Sequence, residues 1–235
     1  MSIIYGPIKS WRVGLSFNVD PLCRDPKVCS MNCIYCKFGS SAIVVPYRAL
    51  LVPTELFVEE MATIPDKEEE VIRFAGAGEP TLALNLKEML LAAREAGFKN
   101  IVVLTNASLL HDSEVREALQ LSDIIIAKLD AATEDTFQKV NRPHPDVNFQ
   151  DIMVGLRTMR GEFRGSFRLQ VMLVAENRAE IENIAEECAS LDPEIVYLST
   201  PSRICDATPL TRKDMLEAAK TFMEKGCNVA LEAMD

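Results

Sequence analysis

Short runs rich in β-branched and apolar residues alternate with helical patterns along most of the chain. Residues 12–18, 71–75, 101–105, 123–129, 168–174 and 194–198 read as strands. Residues 54–62, 86–96, 113–121, 134–140, 149–160, 179–191 and 212–225 read as helices. Two strands, Ile101-Val102-Val103-Leu104 and Ile124-Ile125-Ile126-Ala127, are apolar on both faces, which a sheet covered by helices requires. Helix ends are marked as well. Asn85 with Glu88 reads as a capping box, Asp112 and Thr211 as further N-caps, and Gly97 as a left-handed end. Six β–α alternations predict a parallel sheet, and about 200 residues suit six units where a closed eight-unit barrel needs about 250. The expected fold is α/β, a partial (β/α)6 barrel with short N- and C-terminal extensions; a flat doubly wound sheet shares this signature. We expect a core over 1–200, with a cysteine-bearing loop at 19–40, and a C-terminal extension over 201–235 packed on that core.

Composition adds bounds. The chain has 235 residues, 48% hydrophobic and 26% charged, enough for a full core without disulfides. No apolar run approaches the roughly 18 residues of a membrane span. The first 17 residues carry Lys9 and Arg12 within a polar stretch, unlike a signal peptide, so a cytoplasmic location is expected. Net charge is −10, yet residues 1–50 hold six basic and two acidic side chains. General nucleic-acid binding is not expected of so acidic a chain, whereas the basic segment suits a small anion.

Seven cysteines without a secretory pattern argue against a disulfide framework. Three stand as Cys29-x3-Cys33-x2-Cys36 in a loop-like segment, so their thiolates can converge on one soft-metal centre. A zinc site needs four ligands, and Cys23 could supply the fourth. A [4Fe–4S] cluster held by three cysteines explains the triplet better, leaving one iron open for a non-protein ligand. Cys188 and Cys227 read as small core residues, and Cys205 as facing a site. Polar residues gather where the strands end: Gly76-Ala77-Gly78-Glu79-Pro80, Thr105-Asn106, Asp130, Glu176-Asn177 and Thr200. Parallel α/β folds build sites at those ends.

The cysteine triplet, Tyr35 before its third member, and Gly76-Ala77-Gly78-Glu79-Pro80-Thr81 after the second strand resemble radical S-adenosylmethionine enzymes. The resemblance implies the superfamily's partial barrel, with Cys29, Cys33 and Cys36 on a [4Fe–4S] cluster whose open iron takes S-adenosyl-L-methionine. One electron then cleaves the sulfonium to give a 5′-deoxyadenosyl radical, which abstracts hydrogen from the substrate. It also implies cofactor contacts for Tyr35, Gly76, Ala77, Gly78, Glu79, Asn106 and Asp130. Gly76 and Gly78 would permit close backbone approach, and Glu79 would accept from the methionyl ammonium. Ala77 stands where glycine is usual. A one-electron donor of the flavodoxin or ferredoxin kind, and an oxygen-sensitive cluster, follow. Within the superfamily the chain looks most like the wyosine-type tRNA enzymes, through Tyr5-Gly6-Pro7, Leu104-Thr105-Asn106-Ala107, Leu129-Asp130-Ala131, Asn141-Arg142-Pro143-His144 and Thr200-Pro201-Ser202-Arg203. Its small size is also like that of activating enzymes. Arg12, Arg142, His144 and Arg203 are candidate contacts for a phosphate or carboxylate of the substrate. No catalytic side chain is assigned, and the substrate is open among a small molecule, a nucleotide and a peptide. The alternatives are a wyosine-type tRNA-modifying enzyme and a non-catalytic zinc or iron–sulfur binding module.

Overall fold

The strands occur in the order β1 (Ile4–Ser10), β2 (Gly14–Val19), β3 (Lys27–Cys29), β4 (Ala42–Val44), β5 (Val71–Phe74), β6 (Asn100–Thr105), β7 (Ile124–Lys128), β8 (Ser166–Met172), β9 (Val196–Ser199) and β10 (Val229–Leu231). Between them lie α1 (Thr54–Met61), α2 (Leu86–Glu95), α3 (Ser113–Leu119), α4 (Glu134–Asn141), α5 (Phe149–Glu162), α6 (Ile181–Ser190) and α7 (Arg212–Glu224). This is a computed structural model, which describes residues 2–39, 42–65, 67 and 70–233. Eight strands form one sheet in the order β1-β2-β5-β6-β7-β8-β9-β10, parallel throughout except for the antiparallel β1–β2 hairpin. The sheet curls into a half-barrel with helices outside. The six predicted strands are all present; β1, β10 and the small β3–β4 pair are additions. β1 is interrupted by Gly6-Pro7 and a register shift, and β10 has only three residues, so neither carries a strong strand pattern.

Period two sorts the apolar strands. Ile72, Phe74, Ile101, Val103, Ile125, Ala127, Leu169 and Val171 face outward into the main core, packed with Met89, Leu90, Leu119, Ile184 and Phe222 from the helices. Val102, Ile126 and Tyr197 point the other way and form a smaller cluster inside the curl. The β1–β2 turn folds onto this inner cluster. Trp11 meets Tyr197 edge-on with ring centroids 5.2 Å apart, and the Tyr197 hydroxyl donates to the Arg12 carbonyl at 3.0 Å. The half-barrel therefore has a floor built partly by the hairpin.

The caps are mostly as predicted. Asp112 accepts from Glu114 N at 2.9 Å, Thr211 and Asp214 form a reciprocal capping box, and Gly97 has φ +103°. Asn85 is a correction, because its side chain makes no cap bond to α2. Its Nδ2 donates instead to Val52 O at 3.0 Å and Thr54 Oγ1 at 2.8 Å, tying the start of α1 to α2. The stretch 179–191 opens with a 3-10 turn, Arg178–Glu180, before α6. At the C-terminal end α7 packs beside α6 and β10 continues the sheet alongside β9. Among the described residues no helix is long and apolar enough to cross a membrane.

Candidate active site

A cavity of about 520 Å³ opens inside the curl, walled by the cysteine loop, the loop after β5 and the inward residues of the strands. Asp20, at the end of β2, joins the two loops. Its Oδ1 accepts from Leu22 N (3.2 Å) and Cys23 N (3.0 Å), and its Oδ2 from Ala77 N (3.0 Å). The glycines here have a packing role that the sequence reading assigned to ligand approach. A Cβ on Gly76 would lie 2.2 Å from Asp20 Oδ1, and one on Gly78 would lie 1.7 Å from the Val28 carbonyl oxygen. Both line the cavity, but the closest approach they permit is to the cysteine loop itself.

Cys29, Cys33 and Cys36 all line the cavity, and each sulfur faces a side-chain N–H donor. Lys27, only 5% exposed, donates from Nζ to Cys36 Sγ at 2.9 Å and to the Gly39 carbonyl at 2.5 Å. Asn106 Nδ2 reaches Cys29 Sγ at 3.7 Å, and Asn141 Nδ2 reaches Cys33 Sγ at 3.5 Å. Burial, with Cys33 as the next cause, pushes the Cys29 thiol up to about 12; burial also raises Cys33. Such thiols ionise when a metal centre supplies the compensating charge. Among the described residues no three Cys, His, Asp or Glu side chains converge closely enough to hold a single metal ion. The three thiols line one cavity, and soft sulfur donors of this kind fit an iron–sulfur centre. Cys23 does not line the cavity, and its thiol donates to the Ser2 carbonyl at 3.6 Å. Cys205 does line the cavity, and Cys188 and Cys227 are buried in the core.

Glu79 is 2% exposed. Its Oε1 accepts from Thr81 N (3.1 Å), Thr81 Oγ1 (2.7 Å) and Thr105 Oγ1 (2.7 Å), whereas Oε2 accepts only from Asn106 N (2.6 Å). Burial raises its carboxyl above the ordinary value, and these bonds offset only part of the rise. Oε2 keeps capacity for one further donor from the cavity, which the ammonium of an amino acid would satisfy.

Asp130 stands behind this wall and does not line the main cavity. Its Oδ1 accepts from Met172 N at 2.8 Å; its Oδ2 accepts from the Tyr35 hydroxyl and from Asn141 Nδ2 at 2.9 Å. Lys128 Nζ donates to the Tyr35 hydroxyl at 2.6 Å and lies 4.0 Å from the Tyr35 ring centre. Tyr35 and Lys128 do face the cavity, so Asp130 reaches it through them.

Of the four candidate substrate contacts, Arg12 and Arg203 line the cavity; Arg142 and His144 do not. Arg142 pairs with Asp206 at 2.8 Å. The segment holding both instead braces the cysteine loop through its backbone: Asn32 N donates to Arg142 O (3.0 Å), Ile34 N to Val140 O (3.0 Å) and His144 N to Ser30 O (2.9 Å). The sequence reading missed Lys27, Arg73, Lys128 and Gln170. A lone charged or amide residue inside an apolar strand, as in Val71–Phe74 or Ile124–Lys128, was the available signal.

Residues 26–188 match the Radical SAM superfamily. The chain belongs to that superfamily. Radical SAM membership carries S-adenosylmethionine cleavage chemistry, which makes the protein an enzyme that requires a reductant. It is similar to UPF0026 protein slr1464 of Synechocystis sp., 39% identical over 201 residues, covering 85% of this chain and 76% of that protein. A second relative, named GTPase Obg in Brachyspira hyodysenteriae, is 31% identical over 237 residues; 97% of this chain matches 34% of that protein, so the chain spans about a third of it. In fold it resembles the structure of TYW1 with a lysine-pyruvate adduct bound, with a TM-score of 0.67 at 17% identity over 89% of this chain and 73% of that one. The half-barrel is thus the partial barrel of radical SAM enzymes rather than a flat doubly wound sheet.

Proposed function

We propose that Cys29, Cys33 and Cys36 hold a [4Fe–4S] cluster beside which S-adenosylmethionine binds, reductive cleavage supplying a 5′-deoxyadenosyl radical that takes hydrogen from a substrate in the cavity. The observation that carries this reading is three thiols on one cavity wall, each with its own N–H donor, next to a buried carboxylate with one open acceptor position. Lys27, Asn106 and Asn141 would orient and charge-balance the cysteine sulfurs, since donors to sulfur tune such centres. Glu79 Oε2 would receive the methionyl ammonium, with the backbone of Gly76, Ala77 and Gly78 forming the adjoining edge. Asp130 would act as a positioning residue, holding Tyr35 and Lys128 against the cavity. Arg12 and Arg203 remain substrate contacts in this reading, and the electron would come from a flavodoxin- or ferredoxin-like donor. Residues 1–200 would form the core that holds these groups, and 201–235 would lend Arg203, Cys205 and Glu232 to the cavity wall.

Anaerobic reconstitution tests the reading. After reduction, the electron paramagnetic resonance spectrum should show a [4Fe–4S]+ signal whose shape changes when S-adenosylmethionine is added. A signal blind to that addition, or one zinc per chain without acid-labile sulfide, would overturn this reading of the cluster and its cofactor.

A further inference from the structure

Buried charges are costly unless paired, and most on this molecule are answered. Lys27 donates to the Gly39 carbonyl at 2.5 Å, Asp130 accepts from Met172 N at 2.8 Å, and the partly exposed Arg168 meets Glu194 at 3.2 Å. Two guanidiniums on the cavity wall have no hydrogen-bonded or ion-paired carboxylate among the described residues. Arg73, 8% exposed, projects inward from β5 with Nε donating to Asn18 Oδ1 at 2.6 Å. Its two terminal nitrogens have no hydrogen-bond or carboxylate partner among the described residues. Arg12, in the hairpin turn, has a buried Nε without a partner, and its guanidinium lies 5.4 Å from the Trp11 ring centre. Arg73 senses Arg12: burial first and Arg12 second bring Arg73 down to about 10. Glu232 is the acidic group that answers Arg12, at Coulombic rather than bonding range. Lys9, Lys37 and Arg203 line the same cavity, so positive charge is in excess there although the whole chain is net −10.

Depth separates this pair from the cofactor loops. Arg73 precedes Gly76 by three residues, which on an extended strand is roughly 10 Å. Guanidiniums present planar forks that match phosphate and carboxylate oxygens, and a pair without bonded carboxylates asks for an anion carrying more than one charge.

We propose that Arg12 and Arg73 anchor an anionic group, phosphate or carboxylate, of a small substrate at the floor of the cavity. This assignment rests on the cavity being the active site, as argued above. The test is calorimetric titration of inorganic phosphate, and separately malonate, into the full chain without reductant. Variants Arg12→Gln and Arg73→Gln are compared with Arg73→Lys, all checked for wild-type-like thermal melting. Saturable binding should weaken about tenfold or more in each Gln variant, the scale of one charged hydrogen bond, and less in Arg73→Lys. Phosphate binding tighter than malonate would name a phosphate ester, and the reverse a dicarboxylate; both support the site. Unweakened binding in both Gln variants, or none to the wild type, would overturn it. So would a parallel loss of S-adenosylmethionine affinity by equilibrium dialysis, which would hand the arginines to the cofactor. Failure of the wild type to cleave S-adenosylmethionine would instead remove the radical reading and leave the anion titration standing.

Discussion

Asp130 and Arg73 are both charged and both buried, 3% and 8% exposed, yet their surroundings differ in kind. Each Asp130 oxygen is occupied, by Met172 N on one side and by the Tyr35 hydroxyl and Asn141 Nδ2 on the other, with Lys128 Nζ at 3.5 Å. Arg73 spends one of its five N–H donors, on Asn18. A buried charge whose partners are all internal is part of the architecture, and its removal strands those partners. A buried charge with free donors facing a cavity is held ready for something the chain does not contain. Glu79 stands between the two, with three donors on one oxygen and a single donor on the other.

The largest expected effect lies at the sulfurs. Cys33→Ala should abolish bound iron and sulfide after reconstitution, whereas Cys23→Ala should keep both, because Cys23 lies off the cavity. Full iron in Cys33→Ala would break the ligand assignment. Next is the buried pair of contrasts. Asp130→Ala should cost about 3–5 kcal/mol in urea unfolding, since it leaves Lys128 and several donors uncompensated. Arg73→Gln should change stability by less than about 1 kcal/mol, or raise it, because it removes a charge with no ion-pair partner. Equal losses in the two variants would erase the distinction drawn between them.

Glu79 gives a pH-dependent test in the cluster-free protein. Its native carboxyl sits above the ordinary 4.5, with burial the largest cause. The native state therefore keeps this proton over an interval in which the unfolded chain has lost it. Stability from Glu79 should fall as pH rises from 4.5 through the native value, and Glu79→Gln should flatten that slope. A wild-type advantage over Glu79→Gln that grows with pH would show that the four donors outweigh burial. The smallest effect concerns Arg142→Ala. Its pairing with Asp206 is half exposed on both sides, so stability should move by about 1 kcal/mol or less and phosphate affinity not at all. A tenfold affinity loss there would move the anion site out of the floor.

Much of this was legible in residue order. The sheet strands β2 and β5–β9 follow directly from β-branched runs between helical stretches, because burial on both faces demands continuous apolar strands. The cysteine triplet, Glu79 and Asn106 were legible because close spacing and strand ends bring them together whatever the detailed packing. Arg142 and His144 misled for a definable reason: their segment does meet the cysteine loop, but through backbone groups that carry no sequence signature. Asn85 misled likewise, since a side chain suited to capping found better acceptors on a neighbouring helix start.

The chain by itself determined the alternation of strands and helices, the sulfur triplet and the residues at the strand ends, all consequences of local periodicity and short spacing. Tertiary structure alone decided which charges share a wall. Arg12 lies in the β1–β2 turn and Arg73 on β5, and only the curl of the sheet, with the hairpin folded across its floor, brings these two cations without bonded carboxylates into one cavity. Long-range juxtaposition of that kind depends on sheet curvature and hairpin packing, which no local pattern encodes.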